Sequence, residues 1–202
     1  MAIINQATKE LQVKIVYYGP GKGGKTTNLE QVHTNVQNVQ EKGKLVSLAT
    51  SSDRTLFFDF LPIEAMAIKG FKTKFQLYTV PGQVIYNTTR QLVLRGVDGI
   101  VFVADSQYDK MAENVESFQN LEDNCKSLKL DFGEIPYVLQ YNKRDMPGAA
   151  PVEYMEFLLN NRATQVPSFT ATASKCEGVF ETLNMITRLL LNKFINQSGK
   201  KA

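Results

Sequence analysis

A glycine-rich segment near the amino end of the chain has the residue types and spacing of a phosphate-binding loop. Residues 19–26 read Gly-Pro-Gly-Lys-Gly-Gly-Lys-Thr, which fits the pattern G-x-x-x-x-G-K-S/T. Glycines let backbone amides approach phosphate oxygens, and the amino end of a following helix adds free N–H groups and a positive dipole end. Lys25 supplies a charge near the β- and γ-phosphates, and Thr26 a hydroxyl for Mg²⁺. The predicted nucleotide-binding residues here are Gly19, Gly21, Lys22, Gly23, Gly24, Lys25, Thr26 and Thr27, with the Lys22 side chain pointing into solvent.

A second motif, Asn142-Lys143-Arg144-Asp145, has the N-K-x-D form of a guanine-binding segment. The Asp145 carboxylate can accept two hydrogen bonds from the N1–H and N2–H₂ edge of guanine, and adenine lacks that pair of donors. A buried acceptor without its donor is costly, so the carboxylate predicts discrimination between the two bases. Asn142 can tie neighbouring loops together, and the aliphatic stem of Lys143 can lie over the base. Asp145 therefore disfavours an ATP-using enzyme.

A third, weaker element is Thr172-Ala173-Ser174, which follows a predicted strand. The backbone N–H of Ala173 is in a position to donate to the guanine O6, which would make all three residues part of the nucleotide site. A polar turn that caps the last helix explains the same residues nearly as well. Both interpretations stay open on the sequence.

The segments between these motifs alternate between strand and helix patterns. Continuous or alternating apolar residues predict strands at 11–18, 75–79, 99–104, 137–141 and 169–172, with a hairpin turn at 69–70 after residues 65–68. Helical spacing of apolar residues predicts helices over 29–39, 111–128, 152–159 and 180–194. Such alternation predicts an α/β protein with a mainly parallel sheet covered on both faces. Both motifs then fall at carboxyl ends of strands, where such sheets bind ligands.

Length, charge and cysteine content exclude several other classes of protein. The 202 residues suit one domain, predicted as 1–198 with a short flexible tail at 199–202, and a net charge of +3 is too small to argue for nucleic acid. Cys125 and Cys176 form neither a disulfide framework nor a zinc pattern. No apolar run reaches the ~20 residues that cross a bilayer, and no signal peptide or lipidation site is evident. We expect a cytoplasmic protein with no direct membrane anchor.

Taken together, the two motifs resemble those of Ras-type small GTPases. Residues 54–62, 70–73 and 77–83 resemble more closely the bacterial gliding and polarity GTPases of the MglA family. The resemblance implies a P-loop small G domain with a six-stranded, mostly parallel sheet, Mg²⁺, and bound GTP or GDP. It implies slow GTP hydrolysis stimulated by an MglB-like roadblock homodimer, and nucleotide-state-specific polarity effectors that recruit the protein to cell poles. A nucleotide-dependent interaction module with negligible hydrolysis is the alternative.

The family's second switch begins D-x-x-G-Q, and the matching stretch here is Thr79-Val80-Pro81-Gly82-Gln83. Thr79 replaces the aspartate, as it does in the MglA family, and a neutral hydroxyl contributes less negative field near a metal ion. The resemblance implies that the Gly82 N–H binds the γ-phosphate and that Gln83 orients the attacking water. An ordinary surface loop is the alternative for Gln83.

The presumed first switch contains Arg54 and Thr55, followed by the apolar residues 56–61. The resemblance implies that Thr55 joins Thr26 as a metal ligand in the GTP state and that Arg54 acts as an arginine finger in cis, brought in by the partner. An exposed arginine in a mobile loop is the alternative. The apolar residues fit either the start of a buried strand or a surface that meets a partner in one state, because a one-residue slide would exchange inward and outward side chains.

Overall fold

The computed structural model describes residues 3–5, 8–35, 41–42, 46–50, 54–68, 71–162 and 164–199, and their side chains within 8–35, 72–83, 85–162 and 164–196. The strands are β1 (Ile3–Asn5), β2 (Glu10–Tyr18), β3 (Glu41–Lys42), β4 (Val46–Thr50), β5 (Arg54–Ile68), β6 (Phe71–Thr79), β7 (Gly99–Asp105), β8 (Tyr137–Asn142) and β9 (Ser168–Thr170). The α-helices are α1 (Lys25–Asn35), α2 (Asn87–Leu94), α3 (Met111–Ser127), α4 (Val152–Leu159) and α5 (Val179–Gly199).

These strands form one sheet, whose central path runs β5-β6-β2-β7-β8-β9. Pairing is parallel from β6 through β9, and only β5 on this path is antiparallel to its neighbour. The predicted α/β class with a mostly parallel sheet is therefore confirmed, and six strands lie on this path of a sheet that has nine described strands. The short strands β1, β3 and β4 add to it: β1 lies antiparallel on the start of β2, while β3 and β4 pair with β5.

Burial follows the residue pattern of each strand. All seven residues of β7 are buried, as a continuous apolar run between two helical layers requires. Along residues 72–79 of β6, half-buried and buried residues alternate, so one side of this strand is less covered. Residues of α2, α3 and α4 pack in one core cluster, and residues of α1 and α5 pack in another. Helices therefore cover both faces, and the carboxyl ends of the parallel strands remain at one edge.

Some details differ from the sequence predictions. Val115, whose helical spacing from Met111 and Phe118 predicts an inward position in α3, is 42% exposed. Asn114 is buried in its place, because the Asn114 side chain bonds to both the N–H and the C=O of Asp105. The last strand ends at Thr170 instead of 172. Residues 36–39, the hairpin turn 69–70 and the tail residues 200–202 lie outside the described part of the chain. No helix within that part is long and apolar enough to cross a membrane.

Candidate nucleotide-binding site

The phosphate-binding loop lies where β2 ends and α1 begins. Gly19 has φ +140°, and a Cβ at this position would lie 2.1 Å from the carbonyl oxygen of Val103 in β7. Gly24 has φ +99°, and a Cβ there would lie 2.1 Å from Nδ2 of Asn142. Only glycine fits both positions, because β7 and β8 approach the loop closely from one side. Lys22 is exposed, with φ +59°, as its predicted solvent orientation requires.

Lys25 opens α1 and lies inside the loop. Its side chain is only 6% exposed, and Nζ donates to the carbonyl oxygens of Gly19 at 3.1 Å and Pro20 at 2.6 Å. Thr26 and Thr27 follow, both half-buried in the first turn of the helix. The loop therefore encloses an ammonium group beside the amino end of a helix, which is the electrostatic arrangement that binds phosphate.

Asn142 connects the three segments that carry the predicted nucleotide-binding residues. It is 2% exposed at the end of β8. Its Nδ2 donates to the carbonyl oxygen of Gly23 at 2.8 Å, and its Oδ1 accepts from the backbone N–H of Ala173 at 2.9 Å. The predicted tie between loops is thus present, and it brings the phosphate loop, residues 142–145 and residues 172–174 to one place.

The other residues of the 142–145 segment also have defined partners. Lys143, with φ +65°, donates from Nζ to Oδ2 of Asp105 at 2.7 Å, which fixes its stem beside the end of β7. The Asp145 side chain is 30% exposed, and Oδ2 lies 3.8 Å from Nζ of Lys175. Since this is its single ion-pair contact among the described residues, the carboxylate has oxygens available to a ligand.

The hydrogen bond to Asn142 conflicts with the expectation that the Ala173 amide reads guanine O6. That amide already has a buried acceptor. The next amide, of Ser174, has no acceptor among the described residues, and its own carbonyl accepts weakly from Gln31 at 3.4 Å. Sequence spacing alone does not distinguish two successive amides in a 3₁₀ turn, so the difference follows only from the position of Asn142.

The second-switch segment runs from the end of β6 onto the phosphate loop. Thr79 is fully buried and pairs in register with Tyr17 of β2. Gly82 rests on Gly21: a Cβ at Gly82 would lie 2.3 Å from the Gly21 Cα. Gln83 is half-buried and precedes the 3₁₀ turn Val84–Tyr86. The structure therefore places Gly82 against the phosphate loop, and the predicted roles of Gly82 and Gln83 toward the nucleotide stay predictions.

The first-switch residues Arg54 and Thr55 begin β5, opposite Thr50 and Ala49 of β4. Their side chains, like those of residues 56–61, lie outside the described set, so the roles of Arg54 as an arginine finger and of Thr55 as a metal ligand stay predictions. No group of three or more His, Cys, Asp or Glu residues within the described residues is arranged to hold a metal ion.

Sequence comparison agrees with this geometry. The Ras family model matches residues 14–192, and the chain belongs to that family of GTPases. The chain is 52% identical over 193 residues to the mutual gliding-motility protein MglA of Myxococcus xanthus (strain DK1622), which covers 96% of this chain and 97% of that protein. It is also 27% identical over 140 residues to the Ras-related protein Rab-13 of Canis lupus familiaris, covering 69% of this chain and 66% of that protein. Membership of this family implies that the chain binds guanine nucleotides, and the assignment of the residues above to that site stays a prediction.

Proposed function

We propose that this chain is a GTP/GDP switch that controls cell polarity and gliding motility by binding partners in one nucleotide state. The proposal is supported by the identity to the gliding-motility relative over nearly the full length of both chains. The structural observation that carries the switch is the backbone contact of Gly82 with Gly21, because it places the second-switch segment where it can respond to phosphate. The protein acts in the cytoplasm, reaches cell poles through its partners, and binds no nucleic acid.

Guanine recognition by this site uses the Asp145 carboxylate and one backbone amide. Asp145 accepts from N1–H and N2–H₂, and Lys143 lies over the ring plane. We assign the O6 donor to Ser174 in place of Ala173, because the Ala173 amide is bonded to Asn142. Thr172 and Ala173 hold this turn in place, because the Thr172 carbonyl accepts from the Lys175 amide and the Ala173 amide donates to Asn142.

The residues present are compatible with Mg²⁺ held mainly by the nucleotide. Thr26 offers a hydroxyl in the first turn of α1, and Thr79, in the position of the family's aspartate, is a neutral residue. Among the described residues there is no carboxylate cluster to hold the ion alone. Thr26, with Thr55 in the GTP state, would therefore hold an ion whose remaining ligands are phosphate oxygens and water. When bound, such an ion neutralises charge on the phosphates.

For hydrolysis we assign Gln83 to orienting the attacking water and Arg54 to stabilising charge on the β–γ bridge. An arginine finger is worth ~10³- to 10⁵-fold in rate. A roadblock-type homodimer brings Arg54 into place and so stimulates turnover. The competing function, a nucleotide-dependent interaction module that barely hydrolyses, is favoured by the buried Thr79 alone.

Phosphate release, with and without a roadblock homodimer, separates these functions. Arg54→Ala should leave GDP affinity unchanged and abolish stimulated turnover, while Arg95→Ala, which alters an exposed arginine after α2, should behave like wild type. Equal stimulated rates in wild type and Arg54→Ala would refute the role of Arg54 as an arginine finger. Absence of stimulation in wild type, with nucleotide binding intact, would favour the interaction module.

Amide hydrogen exchange across residues 55–68 tests whether nucleotide changes the register of β5. We expect protection to differ between GDP and a GTP analogue, because a slide would exchange the faces of the apolar residues 56–61. Identical protection with GDP and with the GTP analogue would show that nucleotide does not change the register of β5.

A further inference from the structure

Arg90 in α2 is the largest fully buried side chain of the described residues, and it is charged. Its guanidinium donates to four acceptors and also lies 5.0 Å from the centre of the Tyr18 ring. The acceptors are the carbonyl oxygens of Pro81 (2.9 Å) and Gly82 (2.5 Å), Oδ1 of Asn120 (2.7 Å) and the hydroxyl of Tyr18 (3.5 Å). All of these partners are neutral.

A buried guanidinium without a carboxylate partner is a costly way to fill space. Desolvation of the charge is offset here by hydrogen bonds to neutral groups and by the contact with the Tyr18 ring, and apolar side chains of similar volume are often as stable or more stable in such positions. Two of the four acceptors belong to successive backbone carbonyls in the second-switch segment. Arg90 therefore does something that packing alone does not require: it fixes the orientation of two consecutive peptide groups.

The orientation of those peptides determines where the next two amides point. In a trans peptide the N–H of the following residue is antiparallel to the C=O, and the chain has no cis peptide bond in its described part. Because the Pro81 and Gly82 carbonyls face Arg90, the N–H groups of Gly82 and Gln83 face away from it. Neither amide has an acceptor among the described residues. Successive amides that point to one side form an anion-binding concavity.

The far side of the segment is the phosphate loop. A Cβ at Gly82 would lie 2.3 Å from the Gly21 Cα and 3.1 Å from the Pro20 carbonyl oxygen. We propose that Arg90 is a positioning residue for the terminal phosphate of GTP: it holds the Pro81 and Gly82 carbonyls so that the amides of Gly82 and Gln83 are aimed at that phosphate. This inference rests on the nucleotide site proposed above and adds the residue that orients it.

The Arg90 side chain is itself held by a polar network between α2 and α3. The Tyr18 hydroxyl donates to Oδ1 of Asn120 at 2.6 Å, and Nδ2 of Asn124 donates to the same hydroxyl at 3.0 Å. Asn120 and Asn124 both donate to Oδ1 of Asn87, at 3.0 and 2.7 Å. Asn120 thus accepts from Arg90 on one side and is anchored on the other, so its removal should loosen Arg90 without touching the phosphate loop.

The experiment compares the affinities for GDP and for a non-hydrolysable GTP analogue, because only the analogue carries the terminal phosphate. Arg90→Lys keeps the charge but cannot reach both carbonyls, and Arg90→Met removes all donors. We expect analogue affinity to fall about ten-fold or more relative to GDP in Arg90→Met, less in Arg90→Lys, and in the same direction in Asn120→Ala. Leu92→Ala is the matched control, because Leu92 lies in the same helix but is 53% exposed and takes no part in the polar network.

Several outcomes decide the proposal. The proposal is supported if the affinity for the analogue falls selectively, more in Arg90→Met than in Arg90→Lys, and does not fall in Leu92→Ala. The proposal is overturned if the affinities for GDP and for the analogue fall equally or do not change, because a merely structural role of Arg90 would affect both nucleotides alike. If Arg90→Met does not fold, Asn120→Ala carries the same comparison. Failure of the wild type to bind either guanine nucleotide would refute the nucleotide site itself, which is a distinguishable result.

Discussion

Replacement of Asn142 by alanine should destabilise the protein and weaken nucleotide binding together. The change removes two buried hydrogen bonds and leaves the Gly23 carbonyl and the Ala173 amide without their partner. An unsatisfied buried group costs about 1–3 kcal/mol, and water can reach one of the two once the side chain is gone. We therefore expect the free energy of unfolding of nucleotide-free protein to fall by about 2–4 kcal/mol.

Asn160 provides a matched control at the other edge of the sheet. It is 1% exposed, its Nδ2 donates to the Val166 carbonyl at 2.9 Å and to Oε2 of Glu156 at 2.6 Å, and its Oδ1 accepts from the Val166 amide at 3.0 Å. Asn160→Ala breaks the same kinds of bond before β9 begins, away from the carboxyl ends of the strands. It should therefore cost a similar free energy of unfolding and leave nucleotide affinity unchanged.

The assay is denaturant unfolding of nucleotide-free protein, paired with titration of fluorescent GDP. Asn142→Ala should weaken GDP binding by at least about ten-fold, beyond any change in Asn160→Ala, because two loops of the site lose their common anchor. If both variants lose equal stability and neither changes GDP affinity, Asn142 only supports the fold. If Asn142→Ala loses no stability, the two hydrogen bonds do not contribute as the structure indicates.

Two further predictions concern single residues. Burial, with a smaller effect of the Glu122 carboxylate, raises the pKa of the Cys125 thiol to about 11. At pH 8 a thiol reagent should therefore modify only Cys176 in native protein, and both cysteines after denaturation. Rapid reaction of two thiols in the native state would contradict this prediction. Gly24→Ala should abolish nucleotide binding, because the added Cβ clashes with the Asn142 side chain. Gly96 also has a positive φ, +70°, but a Cβ there meets no atom within 4 Å, so Gly96→Ala should lower the free energy of unfolding by only about 1 kcal/mol and leave binding unchanged. Normal nucleotide affinity in Gly24→Ala would refute the close packing at that position.

Much of this fold is predictable from local pattern. The apolar run at 99–104 predicts a strand that is buried on both faces, because its successive side chains point to opposite faces and all of them are apolar or small. All seven residues of β7 are indeed buried. Two motifs at predicted strand ends likewise predict a common site, because parallel strands end at one edge. The predicted helix 152–159 matches α4 in full: Val152, Met155 and Leu159 meet the core, although Phe157 is 64% exposed.

Other features depend on contacts between distant residues. Asn114 is buried in place of Val115 because its amide satisfies the backbone of Asp105, and nothing in the α3 sequence announces that partner. The segment from Asn87 to Arg90 is polar enough to suggest a surface loop. Arg90 is nevertheless fully buried, and its guanidinium donates hydrogen bonds to acceptors in three other segments. Similarly, the choice between the Ala173 and Ser174 amides follows from one hydrogen bond to Asn142.

Competition binding on nucleotide-free protein tests the central account most directly. Labelled GDP would be displaced by unlabelled GTP, GDP, ATP or ADP in the presence of Mg²⁺, for wild type and for Asp145→Ala. We predict that guanine nucleotides compete at least about a hundred-fold better than adenine nucleotides in wild type, and that Asp145→Ala removes most of this preference. Equal competition by guanine and adenine nucleotides in wild type would contradict the assignment of the site.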